Sequence, residues 1–401
     1  NLSTGTYESV NYAHVEGNNN VVSANYGHGE GVNNIVSGSG AHAEGRNNTA
    51  IGAYSHVEGK FNIAYGLDSH AEGDQNQTFG EHSHAEGCFN TSIAYASHVE
   101  GNGTTTLLHA SWSHAEGRYT TTAGVWSHTE GNNTYAYGET SHAEGSLTTA
   151  YGSSSHAEGS GVVSYGDYSH AEGFSTISSG SYSHAEGDRT TTIGSYSHAA
   201  GKFSITSGSY SHAEGEYTIS SGSYSHAEGH YTTTIGDYSH AAGNYTIASS
   251  DYQNVVGVYN ETLDNAHFLI GDGSSNVDRS NVFVAYTDQI GINAAPSESV
   301  ALHVHSKTSA PGGLMVPVMT GAERIALTTY AGLVVYQNDF YVTTKWVQTT
   351  KMQRKKVGFI YIWVPVTTWS TVSTPYPAGF YKVEQSTIVP GFTGTLIWVR
   401  Y

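Results

Sequence analysis

Between residues 14 and 250 the chain alternates small and large side chains over short stretches, and the stretches recur every fourteenth residue. In one period Tyr168, His170 and Glu172 fall on one face of an extended segment, with Ser169, Ala171 and Gly173 on the other. A second stretch carries Asn or Thr, then Val, Ile or Thr, then Ala, Ser or Thr, as in Thr176-Ile177-Ser178. Two glycines punctuate most periods. One follows the Glu (Gly173) and the other lies four residues before the next His (Gly180). Glycine at fixed spacing supplies a positive φ or a close backbone approach at a turn. The pattern predicts two strands of about five residues and two turns per repeat, which is one coil of a β-solenoid.

The phase marker is histidine. Seventeen recur, from His14 in steps of fourteen to His98, and again from His114 to His240. The one slip, 16 residues between His98 and His114, adds two residues around Asn102–His109. Two extra residues preserve strand parity, so a bulge or a longer turn absorbs them. The array is expected to end at Gln253–Gly257, where Asn254 replaces His in phase. No heptads and no long 3.6-period apolar stripe interrupt this reading, so the chain reads as all-β.

Composition then limits the energetics. Each coil offers one or two aliphatic groups, too few for a lone chain to offset its backbone entropy. Self-association is therefore expected, with a second face of each coil buried against another copy. Net charge is −19, and it is uneven. Residues 1–253 hold 25 acidic and 5 basic side chains, a balance of −20, and the remainder 9 and 10, a balance of +1. An acidic shaft is unsuited to nucleic acid, whose phosphates need Lys and Arg. No run of 18 apolar residues indicates a membrane helix, so no membrane partner is expected. The single cysteine, Cys88, permits no intrachain disulfide and falls at a variable turn position.

The residues that carry chemistry are spread evenly rather than brought to one spot. The pairs His156/Glu158, His170/Glu172, His184/Glu186 and His212/Glu214 form a ladder on one strand face, with neighbouring coils about 5 Å apart. His and Glu two apart can chelate a metal, but a coordination site needs a few convergent ligands. Ala200 and Ala242 replace the Glu without ending the repeat. The ladder is therefore expected to be structural, built of hydrogen bonds or inter-chain pairs, with no metal, no cofactor and no catalytic residue. Ser and His are adjacent throughout, but strand neighbours face opposite ways and cannot form a catalytic pair. No phosphate-binding loop or Gly-x-Ser-x-Gly elbow appears. Asp272–Asp278 is dense in oxygen ligands but matches no EF-hand spacing and reads as a turn.

The end of the chain breaks the pattern. Trp346, Trp363, Trp369, Tyr376 and Tyr381 crowd it, beside the basic group Lys351, Arg354, Lys355 and Lys356. Aromatic faces stack on sugars and anchor interfaces, and they also fill the cores of small β-domains. The cations suit either a solvated loop or an anionic glycan.

Ser-His-Ala-Glu-Gly, with Ala-x-Gly-x-x-Ser between copies, resembles the YadA-like head repeat of trimeric autotransporter adhesins. It also resembles the same repeat in phage tail fibres and related minor structural proteins. Asp251–Asn260, Phe268–Gly273, Arg279–Phe283, Ile290–Asn293, Ala301–Val304 and Gly313–Thr320 are similar to closing, neck and tip segments of phage fibres. The resemblance spans about 340 residues. It implies a trimeric left-handed parallel β-roll (a β-solenoid) of 14-residue coils over 1–257, a β-rich neck over 258–310 and a small C-terminal β tip domain over 311–401. It further implies a homotrimeric, non-enzymatic virion tail fibre, extracellular, whose tip meets a host cell-surface glycan or protein. A region before Asn1 is expected to join other tail or baseplate proteins. A bacterial trimeric adhesin is the alternative. A tailspike depolymerase is the weaker one, because it needs a singled-out carboxylate pair and the ladder offers none.

Overall fold

A computed structural model describes residues 11–296 and 301–304 in full and, elsewhere, only the backbone of the strands Thr4–Tyr7 and those after residue 317. The chain divides into two compact units, residues 1–305 and 306–401. Among the described residues there is no helix.

The first unit is a parallel β-solenoid. Each coil has a long strand, such as His156–Ser160, and a short one, such as Val163–Ser164. The long strand has the expected five residues, whereas the short one has only two. Each strand pairs in parallel with its equivalent one coil on, His156 with His170 and Val163 with Ile177. Equivalent positions therefore stack into ladders along the solenoid.

The interior is narrow. Ser169, Ala171, Thr176 and Ser178 are all buried, and larger aliphatic groups such as Val57 or Val162 are few. Gly180 supplies close approach: a Cβ there would meet the Gly194 carbonyl oxygen at 2.0 Å. Gly173 departs from the expected inner face. It is exposed at a corner with φ +107°, where the chain leaves the long strand.

Non-glycine residues take most of the remaining left-handed corners. Ser175 (φ 53°) and Tyr182 (φ 58°) mark the two turns of one coil. The geometry aims each corner N–H at the preceding coil: Tyr182 N–H donates to the Asp167 carbonyl and Arg189 N–H to that of Phe174, at 2.9 and 2.8 Å. A left-handed residue costs about 1–2 kcal/mol. The corner tyrosines 168, 182, 196, 210, 224, 238 and 252 stack at 4.8–5.0 Å. Such pairs contribute about 0.5–1.5 kcal/mol each, so ring stacking offsets much of the strain.

The first coils add a buried amide ladder. Asn62 Nδ2 donates to the Glu58 and Gly73 carbonyls at 2.6 and 2.8 Å, and its Oδ1 accepts from Asn76 N–H at 2.7 Å. Every polar side-chain atom of this buried amide is used. After Thr104, whose hydroxyl donates to Asn90 Oδ1 at 2.9 Å, Thr or Ser takes the position in most coils.

The two-residue insertion is a longer turn. Thr105 still pairs with Thr121 and His98 with His114, which leaves the extra length between Thr106 and His114. Cys88 closes the strand His84–Cys88 and is half-buried, rather than lying in an open turn.

The solenoid runs one rung past the expected end. Asn254–Val258 pairs in parallel with Phe268–Asp272, which then pairs antiparallel with Asn281–Ala285. The sheet continues through Leu302–Val304, so residue 257 closes the repeat but not the sheet. Gln253 replaces the usual inner Ser and caps the core. Its Nε2 donates to the Leu263 and Ala266 carbonyls, and its Oε1 accepts from Ser249 N–H. Arg279 donates to the Tyr245 and Asn260 carbonyls. Residues 272–278 form a tight turn in which Ser274 Oγ donates to Asp278 Oδ2.

In the second unit Val318–Met319, Val334–Gln337, Gly379–Gln385, Leu396–Arg400, Ile360–Ile362 and Lys355–Val357 form a six-stranded sheet. Val342–Val347 pairs with Ser370–Pro375.

The glycine ladder yields a test. Gly180→Ala is expected to destabilise the chain by about 1–3 kcal/mol, because the added carbon overlaps the Gly194 carbonyl of the next coil, which must shift to admit it. The neighbouring Ser181→Ala should stay within about 0.5 kcal/mol. Chemical denaturation of both variants checks this, and equal effects would refute the close-approach role.

Candidate functional site

The long strand presents His and Glu outward while Ser and Ala face inward, so one flank of the solenoid carries a double column. His156/Glu158, His170/Glu172, His184/Glu186 and His212/Glu214 all lie in it, paired in register coil to coil. The imidazole rings stack at 4.7 Å from His156 to His170 and from His170 to His184, within 5° of parallel.

Each histidine Nε2 faces the carboxylate column. His156 Nε2 lies 3.2 Å from Glu144 Oε1 in the coil before and 3.6 Å from Glu158 Oε2 in its own. His184 reaches Glu172 at 3.6 Å, and His212 reaches Glu214 at 3.5 Å. Most of these nitrogens are shut off from solvent, and many, including those of His84, His98, His170 and His212, lack a well-formed hydrogen bond.

Stacking like groups 4.7 Å apart has an electrostatic cost. Burial, reinforced by the neighbouring rings, pushes His70, His98 and His142 down to about 4. Burial likewise lowers His42, His84, His128, His170, His184, His212 and His226. These imidazoles are neutral at pH 7. The carboxyls divide the charge instead. Burial and a hydrogen bond to Glu130 push Glu144 up to about 7, and a hydrogen bond to Glu158, then burial, does the same to Glu172. Glu130 and Glu158, accepting those bonds, are lowered. Protons are thus shared along the column, because adjacent carboxylates at this spacing cannot all ionise.

Ala200 and Ala242 interrupt the carboxylate column without disturbing the pairing of their strands. The backbone accordingly does not depend on the carboxylates. No singled-out acid or base emerges, since each level repeats its neighbours.

The expected tip lies largely outside the described residues. Lys351, Arg354, Trp363, Trp369 and Tyr376 fall there altogether. For Trp346, Lys355, Lys356 and Tyr381 only backbone pairing is described: Trp346 opposite Thr371, Lys355 opposite Ile362, Lys356 opposite Tyr361, and Tyr381 opposite Val335 and Arg400.

Sequence reasoning missed two surface features. One is the tyrosine column above, whose signal is Tyr at fixed phase two residues before His170 and each later His of the array. The other is a groove on the short-strand side lined by Phe203, Ile205, Tyr217, Ile219 and Tyr231, with Arg189 at one end. The chain matches no protein-family model and no curated protein.

The histidine column sets a pH dependence. A histidine lowered by folding binds protons more readily in the unfolded chain. Its contribution is fully present above the ordinary value near 6.5 and is lost as pH falls toward about 4. Glu144 and Glu172, raised by folding to about 7, act oppositely, losing stability as pH rises from 4.5 toward 7, and Glu116, also raised, acts in the same direction. Ten lowered histidines outweigh three raised glutamates. The unfolding midpoint, measured with chelator present, is expected to fall by about 5 °C or more between pH 6.5 and 4. A midpoint that rises over this interval would contradict the assignment.

Proposed function

We propose that this chain is a structural fibre protein of a phage tail, a homotrimer whose solenoid is the shaft and whose residues 311–401 form the tip that attaches to a host cell-surface glycan or protein. The observation that carries the reading is the in-register stack of near-identical coils. A stack of like levels sets length and spacing, while catalysis needs unlike groups converging on one point. Binding energy over a repeated surface is the same weak contact many times. Discrimination therefore belongs to a segment that departs from the repeat, and 340–401 concentrates Trp, Tyr and cations.

Trimerisation follows from the thin core. The buried positions are mostly Ser, Ala, Thr and Asn, so one coil removes little apolar surface from water. Packing three copies side by side removes more. Three tips on one shaft also turn modest affinity into firm attachment. The proposed protein is extracellular, part of the virion, and not an enzyme.

Sedimentation at low concentration should give three times 42.6 kDa; a stable folded monomer would overturn the trimer. Removing residues 340–401 should abolish attachment to host cells while the shaft still assembles. Undiminished attachment by the truncated shaft would place recognition elsewhere.

A further inference from the structure

The geometry points to a row of transition-metal sites on the His/Glu flank, each built from two histidines of successive coils and the glutamate between them. His84, Glu86 and His98 form such a set, as do His98, Glu100 and His114, and the sets His28/Glu30/His42, His114/Glu116/His128 and His128/Glu130/His142 follow the same plan among eleven groups in the described residues. Within a set the three ligand atoms lie within 4.8 Å of one another.

The donors fix the class of ion. Two imidazoles and a carboxylate suit zinc, nickel or copper rather than calcium or magnesium, which take oxygen ligands. The histidine atoms concerned are the Nε2 atoms of His84, His98 and His114, closed to solvent and without a hydrogen-bond partner. The Glu86 and Glu116 carboxylates lie 3.8 Å from the Nε2 atoms of His84 and His114, beyond hydrogen-bond reach, where an ion can bridge them. The distances are close to sufficient. Three atoms at the full 4.8 Å separation sit about 2.8 Å from their centre, so each closes by about 0.7 Å to reach a Zn–N bond of about 2.1 Å. Tilting two adjacent rings toward each other supplies that movement without displacing the strands.

The stack limits the number of ions. His98 and His114 each belong to the set below and the set above, and one nitrogen lone pair serves one ion. Adjacent sets cannot fill together, and divalent charges one coil apart repel. Eleven sets therefore hold at most about six ions per chain. The levels of Ala200 and Ala242 lack the carboxylate.

Zinc chloride titrated calorimetrically at pH 7.5 into the full-length, chelator-stripped protein tests this. Between one and six ions per chain are expected, with X-ray absorption showing imidazole in the zinc shell. Replacing His84, His98, His114, His128 and His142 together by Asn should lower the count, by two where all six ions are bound. Asn254 stands in the same column with its strand intact, so the fold is expected to survive, and circular dichroism and the unfolding midpoint verify it. The Cys88→Ser variant should leave the count unchanged. Less than one ion per chain, a shell without imidazole, or a count that the five-fold variant leaves unchanged would overturn the proposal.

Discussion

Coil-to-coil contact at the spacing of hydrogen-bonded strands is the constraint on which the rest of this molecule depends. Successive coils touch through backbone at Gly180 and Gly194, where no Cβ fits, and through paired strands on two sides. Because contact is made at a fixed register, a residue's neighbour above and below is its own equivalent. Every consequence follows from that identity: amides bond amides, rings stack on rings, and carboxyls confront carboxyls.

The last of these would be ruinous for a row of full charges. The structure resolves it by neutralising one column and sharing protons along the other. Partial burial lowers ten of the imidazoles, His142 among them, and Glu144 and Glu172 donate to their neighbours Glu130 and Glu158. The flank thus carries less charge than the sequence balance of residues 1–253 suggests. Where Ala200 or Ala242 removes the carboxyl, pairing is unchanged, so backbone rather than ladder chemistry holds the coils. The ladder instead sets what the flank presents to solvent, to another copy or to an ion.

The solenoid was legible because its signal is periodic. Histidine phase, small inner residues and paired glycines specify strands, turns and an inner face, and the parallel all-β solenoid follows from them. Three things were not legible. The inner assignment of Gly173 failed because alternation stops where φ turns positive, and composition does not announce that residue. The left-handed Tyr corners were hidden because propensity argues against them; only the stacking of rings and the direction of the N–H make them favourable. The extra rung at Phe268–Asp272 was missed because its residues depart from the repeat while its backbone does not. Of the candidate residues, the His/Glu pairs were legible as a ladder, since strand parity puts both on one face. The orphaned Nε2 atoms depend on ring packing between coils and leave no mark in one repeat read alone.

Distances between equivalent positions test the stacking most directly. Spin labels placed in chains lacking Cys88 and diluted with unlabelled protein would pair Ser153 with Ser209, with Ser223 and with Asp237, which lie four, five and six coils apart. At about 4.8 Å per coil the separations should rise in equal steps, to about 19, 24 and 29 Å. Separations that fail to increase by one strand spacing per fourteen residues would show that the coils are not stacked in register.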